Sequence, residues 1–343
     1  MDARLARNLS EKSARVDRAL DAFLRRDADQ VRNLHDGLLY ALGLDQDDAD
    51  ARGKRIRPAL CLITCEVLGG DVEAAMPFAM AVELMHNFFL VHDDIEDGDL
   101  FRRGRPSAWV RYGLAHGINI GDFLFTKVFA AVMSDDAPPG PGLDPALRIG
   151  LLRLLVSTLE YTHIGQAQDI NARARRDFSV EEYLEMVRNK TGHYLAVPMI
   201  GGAMIARAAP ATLDALRAFG QKVGPVFQIV DDIIDLTHGK GREKTGSDIR
   251  EGKRSFLVAH AASKASAAQS EELFRILDLP REETTEDNVR RAADLFAKYD
   301  AVEAGRACCR ALMDEARAAL AAAPGNLRAT LTAIFEDMLE RKR

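Results

Sequence analysis

"PFAMAVELMHNFFLVHDDIED", residues 77–97, decides the fold class. Apolar side chains fill this stretch, with few polar positions before His92. A segment apolar on most sides is a central helix, packed all round by other helices. Pro77 suits a first helical position, so the helix is expected to start there and to run to Asp97. It closes in concentrated charge: "LVHDDIEDGD" (90–99) holds five acidic residues. Asp93 and Asp97 stand at i and i+4 on one face, with Asp94 flanking. Like charges at that spacing repel and weaken a helix, so something positive must face them.

The rest of the chain supports an all-α reading. "SARVDRALDAFLRR", "ALRIGLLRLLVSTLEYTHIGQAQDI" and "ATLTAIFEDMLERK" carry apolar residues at helical spacing, and no run of alternating β-branched residues stands out. Breaks are short: "DQDDADARG" (45–53), "DAPPGPG" (136–142) and "AAAPGN" (321–326). "THGKGREKTGSDIREGKRS" (237–255) is longer and is expected to be an irregular lid. No Ser- or Pro-rich linker divides the 343 residues, so one all-helical domain over 1–343 is expected.

Bulk composition narrows the function. The chain is 47% hydrophobic and 29% charged, with a net charge of −6, which argues against a general nucleic-acid binder. The longest apolar run, "YLAVPMIGGAMIA" (194–206), is too short to span a bilayer, and the N-terminus has no apolar signal core. A cytoplasmic protein without a membrane span is expected. Cys61, Cys65, Cys308 and Cys309 lack zinc-site spacing and read as buried, reduced thiols.

A second acidic cluster, "VFQIVDDIIDLT" (226–237), repeats the arrangement, with Asp231 and Asp235 on one face and Asp232 flanking. One DD-x-x-D is usually a solvated helix end. Two copies, each closing an apolar stretch, call for a ligand. A hard divalent cation fits: Mg²⁺ takes oxygen ligands and shares its sphere with substrate phosphates. Basic residues supply phosphate partners: Lys54 and Arg57 in "GKRIRP" (53–58), Arg102 and Arg103 in "RRG", Lys190 in "NKTG" and Lys253 in "EGKRS".

These motifs resemble the trans-isoprenyl diphosphate synthases, the polyprenyl synthetases, over about residues 53–260. "HDDIEDGDLFRRGRPS" is similar to the family's first aspartate-rich motif and "FQIVDDIIDLT" to its second. "GKRIRP", "GQAQD" (165–169), "KT" (190–191) and "SDIREGKRSF" (247–256) are similar to the connecting motifs. The resemblance implies a bundle of long antiparallel helices around a deep cavity, working as a homodimer. It implies three Mg²⁺ ions on an allylic diphosphate, ligated by Asp93, Asp97 and Asp231 and supported by Asp94, Asp232 and Asp235. Arg102, Lys190 and Lys253 would hold that diphosphate, assisted by Thr191 and Gln228. Lys244 matches the lysine of a family motif that "GREKTGSD" departs from. Lys54, Arg57, His86 and Arg103 would bind isopentenyl diphosphate, whose double bond attacks the allylic cation. A terpene cyclase would leave Lys54, Arg57 and Arg103 without a purpose, and a non-catalytic subunit would not need both aspartate motifs whole.

Face geometry identifies the neighbours of Asp93 along the helix. Phe89 is one turn before Asp93 and about 6 Å deeper, with Phe88 beside it. Bulky rings there would block a deep cavity early, and the family resemblance implies that aromatics at both places accompany short, fifteen-carbon products, so farnesyl diphosphate is expected, with geranylgeranyl diphosphate the alternative. Phe89→Ala is therefore expected to lengthen the product, read by chromatographic sizing; an unchanged length would remove Phe89 as the floor.

Overall fold

The computed structural model describes residues 3–26, 30–46, 52–134, 143–237 and 245–339. These residues are overwhelmingly helical and group into two compact units. The first unit comprises Met1–Val156, Val197–Asp214 and Ala323–Thr330; the second comprises Ser157–Ala196, Ala215–Ala322 and Leu331–Arg343.

In chain order, the first unit starts with α1 (Ala3–Leu24), α2 (His35–Leu42), α3 (Ile56–Val67) and α4 (Val72–Glu96). The central helix α4 begins five residues before Pro77, because Asp71 caps it by accepting from the Glu73 amide at 2.9 Å. Pro77 sits inside the helix, where its missing N–H leaves one carbonyl without a helical partner. Burial of Ala75, Met76 and Phe78 on either side offsets that loss. At the other end Gly98, at φ +67°, takes the left-handed turn that ends helices, and Asp99 N donates back to Asp94 O at 2.8 Å. Among the described residues, α4 alone is long and apolar enough to cross a membrane, and most of it is buried inside the fold.

A small hairpin follows, β1 (Phe101–Arg102) paired antiparallel with β2 (Arg105–Pro106), a sheet the periodicity does not announce. Its two-residue loop is Arg103-Gly104, at φ +53° and +72°. Positive φ at both central residues is the type I′ arrangement, whose twist matches paired strands. Then come α5 (Ala108–Tyr112) and α6 (Leu114–Met133), which packs along α4. Gly121 makes this approach close, since a Cβ there would stand 2.1 Å from the His92 ring. His92 is thus wedged against α6, 3.6 Å from Asp122.

Helix α7 (Pro145–Ala172) carries the chain into the second unit, which holds α8 (Val180–Val187) and one turn of π-helix, Arg188–Gly192. α9 (His193–Ile205) leads back to the first unit, and α10 (Pro210–Thr237) enters the second again. There follow α11 (Ser247–Arg250), α12 (Phe256–Lys264), α13 (Ala267–Leu277), α14 (Glu286–Lys298) and α15 (Ala301–Ala319), before α16 (Gly325–Leu339). The described part of the expected lid is thus partly ordered as α11. The cysteines are all free thiols, three of them buried.

Candidate active site

The first unit assembles the first acidic cluster and most of the basic residues. Asp94 is buried and takes Arg102: Nε donates to Oδ1 at 2.8 Å, and Nη2 makes a second, closer contact. The same guanidinium lies 3.7 Å from Asp99. One cation therefore serves two buried carboxylates at a helix carboxyl end, where the helix dipole adds to their repulsion. Asp93 and Asp97 are only half-buried on the adjoining face. Arg102, expected on the diphosphate, is in this state an ion-pair partner of Asp94.

The basic set lies before α3 and on the hairpin. Lys54 is exposed, Arg57 is half-buried, and Arg57 Nη1 is 3.5 Å from His86 Nε2 on α4. Arg103 reaches back to this loop: Nη1 donates to Arg52 O at 3.1 Å, and its guanidinium lies flat against Gly53. A Cβ at Gly53 would press on the flexible end of Arg103, and it is the φ of +73° that favours glycine there. Burial pushes Arg103 down to about 10, with Arg55 and Arg102 working in the same direction against Glu83. Burial, then Arg57, Arg103, Arg55 and Arg102, holds His86 well below the usual imidazole value. His86 is therefore neutral among four guanidinium groups. The first unit thus brings together Arg57, His86 and Arg103, with Lys54 exposed on the same loop, a setting suited to a multiply charged anion.

Phe88 is buried, and its ring centroid lies 4.8 Å from Phe89, 5.0 Å from His92 and 5.2 Å from Phe125 of α6. Phe89 is half-buried. The two rings named by the sequence differ: Phe88 is packed into an aromatic cluster, and Phe89 keeps a partly open face.

The second unit holds the second cluster. Asp232 is buried and accepts from Tyr183 Oη at 2.8 Å, from Phe256 N at 3.2 Å and from Gln228 Nε2 at 3.2 Å. Asp235 is also buried and accepts from Ser247 Oγ and, at 3.0 Å, from Asp248 N. Burial, then Asp232, pushes the Tyr183 phenol up, so it remains a donor. Asp231 is half-buried. The protein itself therefore engages Asp232 and Asp235, as Arg102 engages Asp94.

Lys190 Nζ donates to Asp169 Oδ2 at 2.6 Å from within the π-turn, which also places Thr191. Gly165 permits this, since a Cβ there would stand 2.2 Å from the Lys190 amide nitrogen. Lys253 lies 2.5 Å from Glu251 and 3.6 Å from Asp248. Lys244 lies outside the described residues. Sequence reasoning passed over Arg55, Asp169, Asp248 and Glu251, although "GKRIRP", "GQAQD" and "SDIREGKRSF" contain them. Tyr183 gave no signal, because "VEEYLEMV" reads as an ordinary amphipathic helix.

Among the described residues, no three His, Cys, Asp or Glu side chains converge as a ready metal cage. Mg²⁺ does not require one: it binds through one or two carboxylates, waters and substrate phosphates. Half-buried Asp93, Asp97 and Asp231 offer hard oxygen donors of that kind, so the donor chemistry fits.

The polyprenyl synthetase family matches residues 46–296. The chain belongs to the polyprenyl synthetase family. It is 36% identical over 255 residues to the short chain isoprenyl diphosphate synthase of Methanothermobacter thermautotrophicus, covering 74% of this chain and 75% of that one. It is 35% identical over 254 residues to the geranylgeranyl diphosphate synthase of Saccharolobus solfataricus, covering 73% and 74%. The crystal structure of geranylgeranyl pyrophosphate synthetase from Pyrococcus horikoshii superposes with a TM-score of 0.85 at 30% identity, over 98% of each chain. This polyprenyl synthetase therefore has the all-α isoprenoid synthase fold and is a prenyltransferase of the prenyl diphosphate synthase type.

The state of His86 has a measurable consequence. Its pKa is depressed in the fold, so below about pH 6.5 the unfolded chain gains a proton that the folded chain refuses. Stability is expected to fall as pH drops below about 6.5 and to hold above it. His86→Asn should flatten that acid-side loss in urea unfolding measured on either side of the ordinary histidine value. An identical slope in the variant would contradict a neutral His86.

Proposed function

We propose that this polyprenyl synthetase condenses isopentenyl diphosphate with dimethylallyl and then geranyl diphosphate, and releases farnesyl diphosphate. Asp93, Asp97 and Asp231 ligate Mg²⁺ on the allylic diphosphate, and Asp94, Asp232 and Asp235 orient them. Bound Mg²⁺ supplies the charge that lets the diphosphate depart. Arg102, Lys190 and Lys253, with Thr191, Gln228 and Lys244, hold that diphosphate. Lys54, Arg57, His86 and Arg103 hold isopentenyl diphosphate, and neutral His86 donates one hydrogen bond to it. The isopentenyl double bond forms a carbon–carbon bond to the allylic cation left by the departing diphosphate, and the condensed cation gives a proton to that released diphosphate, which restores a double bond. No protein nucleophile is required, and apolar surroundings protect the cation from water.

The product reading rests on one observation: two phenylalanine rings 4.8 Å apart stand within two turns of Asp93, with Phe125 against the deeper-packed Phe88. Geranylgeranyl diphosphate is the second reading. The packing of Phe88 into the aromatic cluster favours it by leaving Phe89 alone as the partly open ring, and the Saccharolobus relative is named for that product. The reading also takes both units as one prenyl synthetase domain, acting in the cytoplasm as a homodimer. Exposed Leu114, Ile118 and Met133 on α6 support the dimer, because large apolar side chains at a surface favour a covering partner.

The test is incubation with isopentenyl diphosphate, each allylic starter and Mg²⁺, followed by product sizing. A fifteen-carbon product is expected, and a twenty-carbon product would select the second reading. Asp93→Ala should abolish turnover while the helical circular dichroism spectrum is kept. Turnover surviving that change would remove Asp93 as a ligand.

A further inference from the structure

Arg55 lies in the middle of the basic loop, yet its own charge faces inward. It is 3% exposed and adopts φ +46°, a left-handed conformation that strains a residue with a Cβ. Its guanidinium is spent on three separate elements. Nε donates to Asp17 Oδ1 of α1 at 2.7 Å, Nη1 donates to Glu83 Oε1 of α4 at 2.7 Å, and Nη2 donates to Leu42 O at the end of α2. Glu83 is 2% exposed, and its Oε1 also accepts from Asn87 Nδ2 at 2.8 Å. Burial alone would lower the Arg55 pKa, but Glu83 and Asp17 raise it, so the guanidinium is a firm cation. A side chain aimed away from solvent, in a strained backbone, with every contact inside the protein, is there to hold something.

What it holds is the segment carrying Lys54 and Arg57. Lys54 O accepts from Ser13 Oγ at 3.3 Å, and the Arg55 carbonyl accepts the Ala59 amide at 3.2 Å to begin α3. Arg57, the second residue of α3, is thereby set beside His86, and Gly53 is set under Arg103. Arg57, Arg102 and Arg103 repel one another, so an untethered loop would swing outward to separate them. Asp17, Arg55 and Glu83 sum to one negative charge behind the cluster, which opposes that movement. Glu83 is also one turn before His86 on α4, so a single ion pair fixes the loop against the helix that bears His86.

We infer that Arg55 is a positioning residue for isopentenyl diphosphate: through Asp17, Glu83 and the end of α2 it fixes residues 53–57 so that Lys54 and Arg57 are in place before the diphosphate arrives. This rests on the proposed assignment of that loop. A preorganised site avoids the ordering cost of binding, so loosening the anchor weakens binding of that substrate and leaves the other largely untouched.

Arg55→Lys keeps the charge but loses the planar fork, Arg55→Gln loses both, and Glu83→Gln keeps an acceptor without its charge. For each, KM would be measured for isopentenyl diphosphate and for geranyl diphosphate. Binding of isopentenyl diphosphate alone would be followed by calorimetry, and folding by circular dichroism. The expected result is a KM for isopentenyl diphosphate raised roughly tenfold, with the KM for geranyl diphosphate within about twofold, in all three variants. Should Arg55→Gln fail to fold, because a buried pair has lost a partner, Glu83→Gln carries the test. Equal rises in both KM values, or none in a folded variant, would overturn the positioning role. Wild-type protein that binds no isopentenyl diphosphate would overturn the loop assignment itself, and the proposal with it.

Discussion

Carboxylates crowded at the carboxyl end of an apolar helix repel one another and the helix dipole, and everything else about this protein follows from how that repulsion is met. At the first cluster Arg102 takes Asp94 and approaches Asp99. At the second, neutral donors do the work: Tyr183, Gln228 and the Phe256 amide on Asp232, Ser247 and the Asp248 amide on Asp235. Both clusters therefore divide the same way. Buried Asp94, Asp232 and Asp235 are hydrogen-bonded by the protein, and Asp93, Asp97 and Asp231 are half-buried. Buried acids with fixed partners hold the helix ends rigid, which is what turns a charge cluster into a site with a direction.

The cationic side obeys the converse constraint. Guanidinium groups around His86 repel one another, and their placement depends on backbone features that side-chain chemistry alone would not produce. Arg103 stands at the tip of a type I′ turn, Gly53 provides the flat surface under it, and Arg55 takes a left-handed conformation while reaching three elements. In the second unit a π-turn and two close glycine approaches, Gly165 on Lys190 and Gly192 on Gly224, place Lys190 and Thr191. A π-turn shifts side-chain register by one residue and is frequent at functional sites.

Much of this was legible in the sequence. Helical periodicity announced α4, and the acidic clusters with their basic companions carried the family resemblance that residues 46–296 bear out. What escaped had a physical reason in each case. Asp71 caps α4 before Pro77, and a cap is chosen by the local backbone, whereas periodicity counts only apolar side chains. The hairpin is two residues per strand, too short for any alternation to show. Tyr183 and Arg55 act through partners far along the chain, and spacing within one segment carries no information about such contacts. Helix geometry puts Phe89 one turn before Asp93 with Phe88 beside it, but says nothing of depth; packing against α6 then buries Phe88 more than Phe89.

The most direct measurement is a crystal structure grown with Mn²⁺ in place of Mg²⁺ and an unreactive allylic diphosphate analogue, with the metal located by anomalous scattering. Metal peaks should lie on Asp93, Asp97 and Asp231, while Asp232 and Asp235 keep Tyr183 and Ser247 as partners and Asp94 stays off the metal. Metal bound by Asp94, Asp232 or Asp235 in place of those contacts, or no metal on any of the six, would contradict the division between ligands and supports.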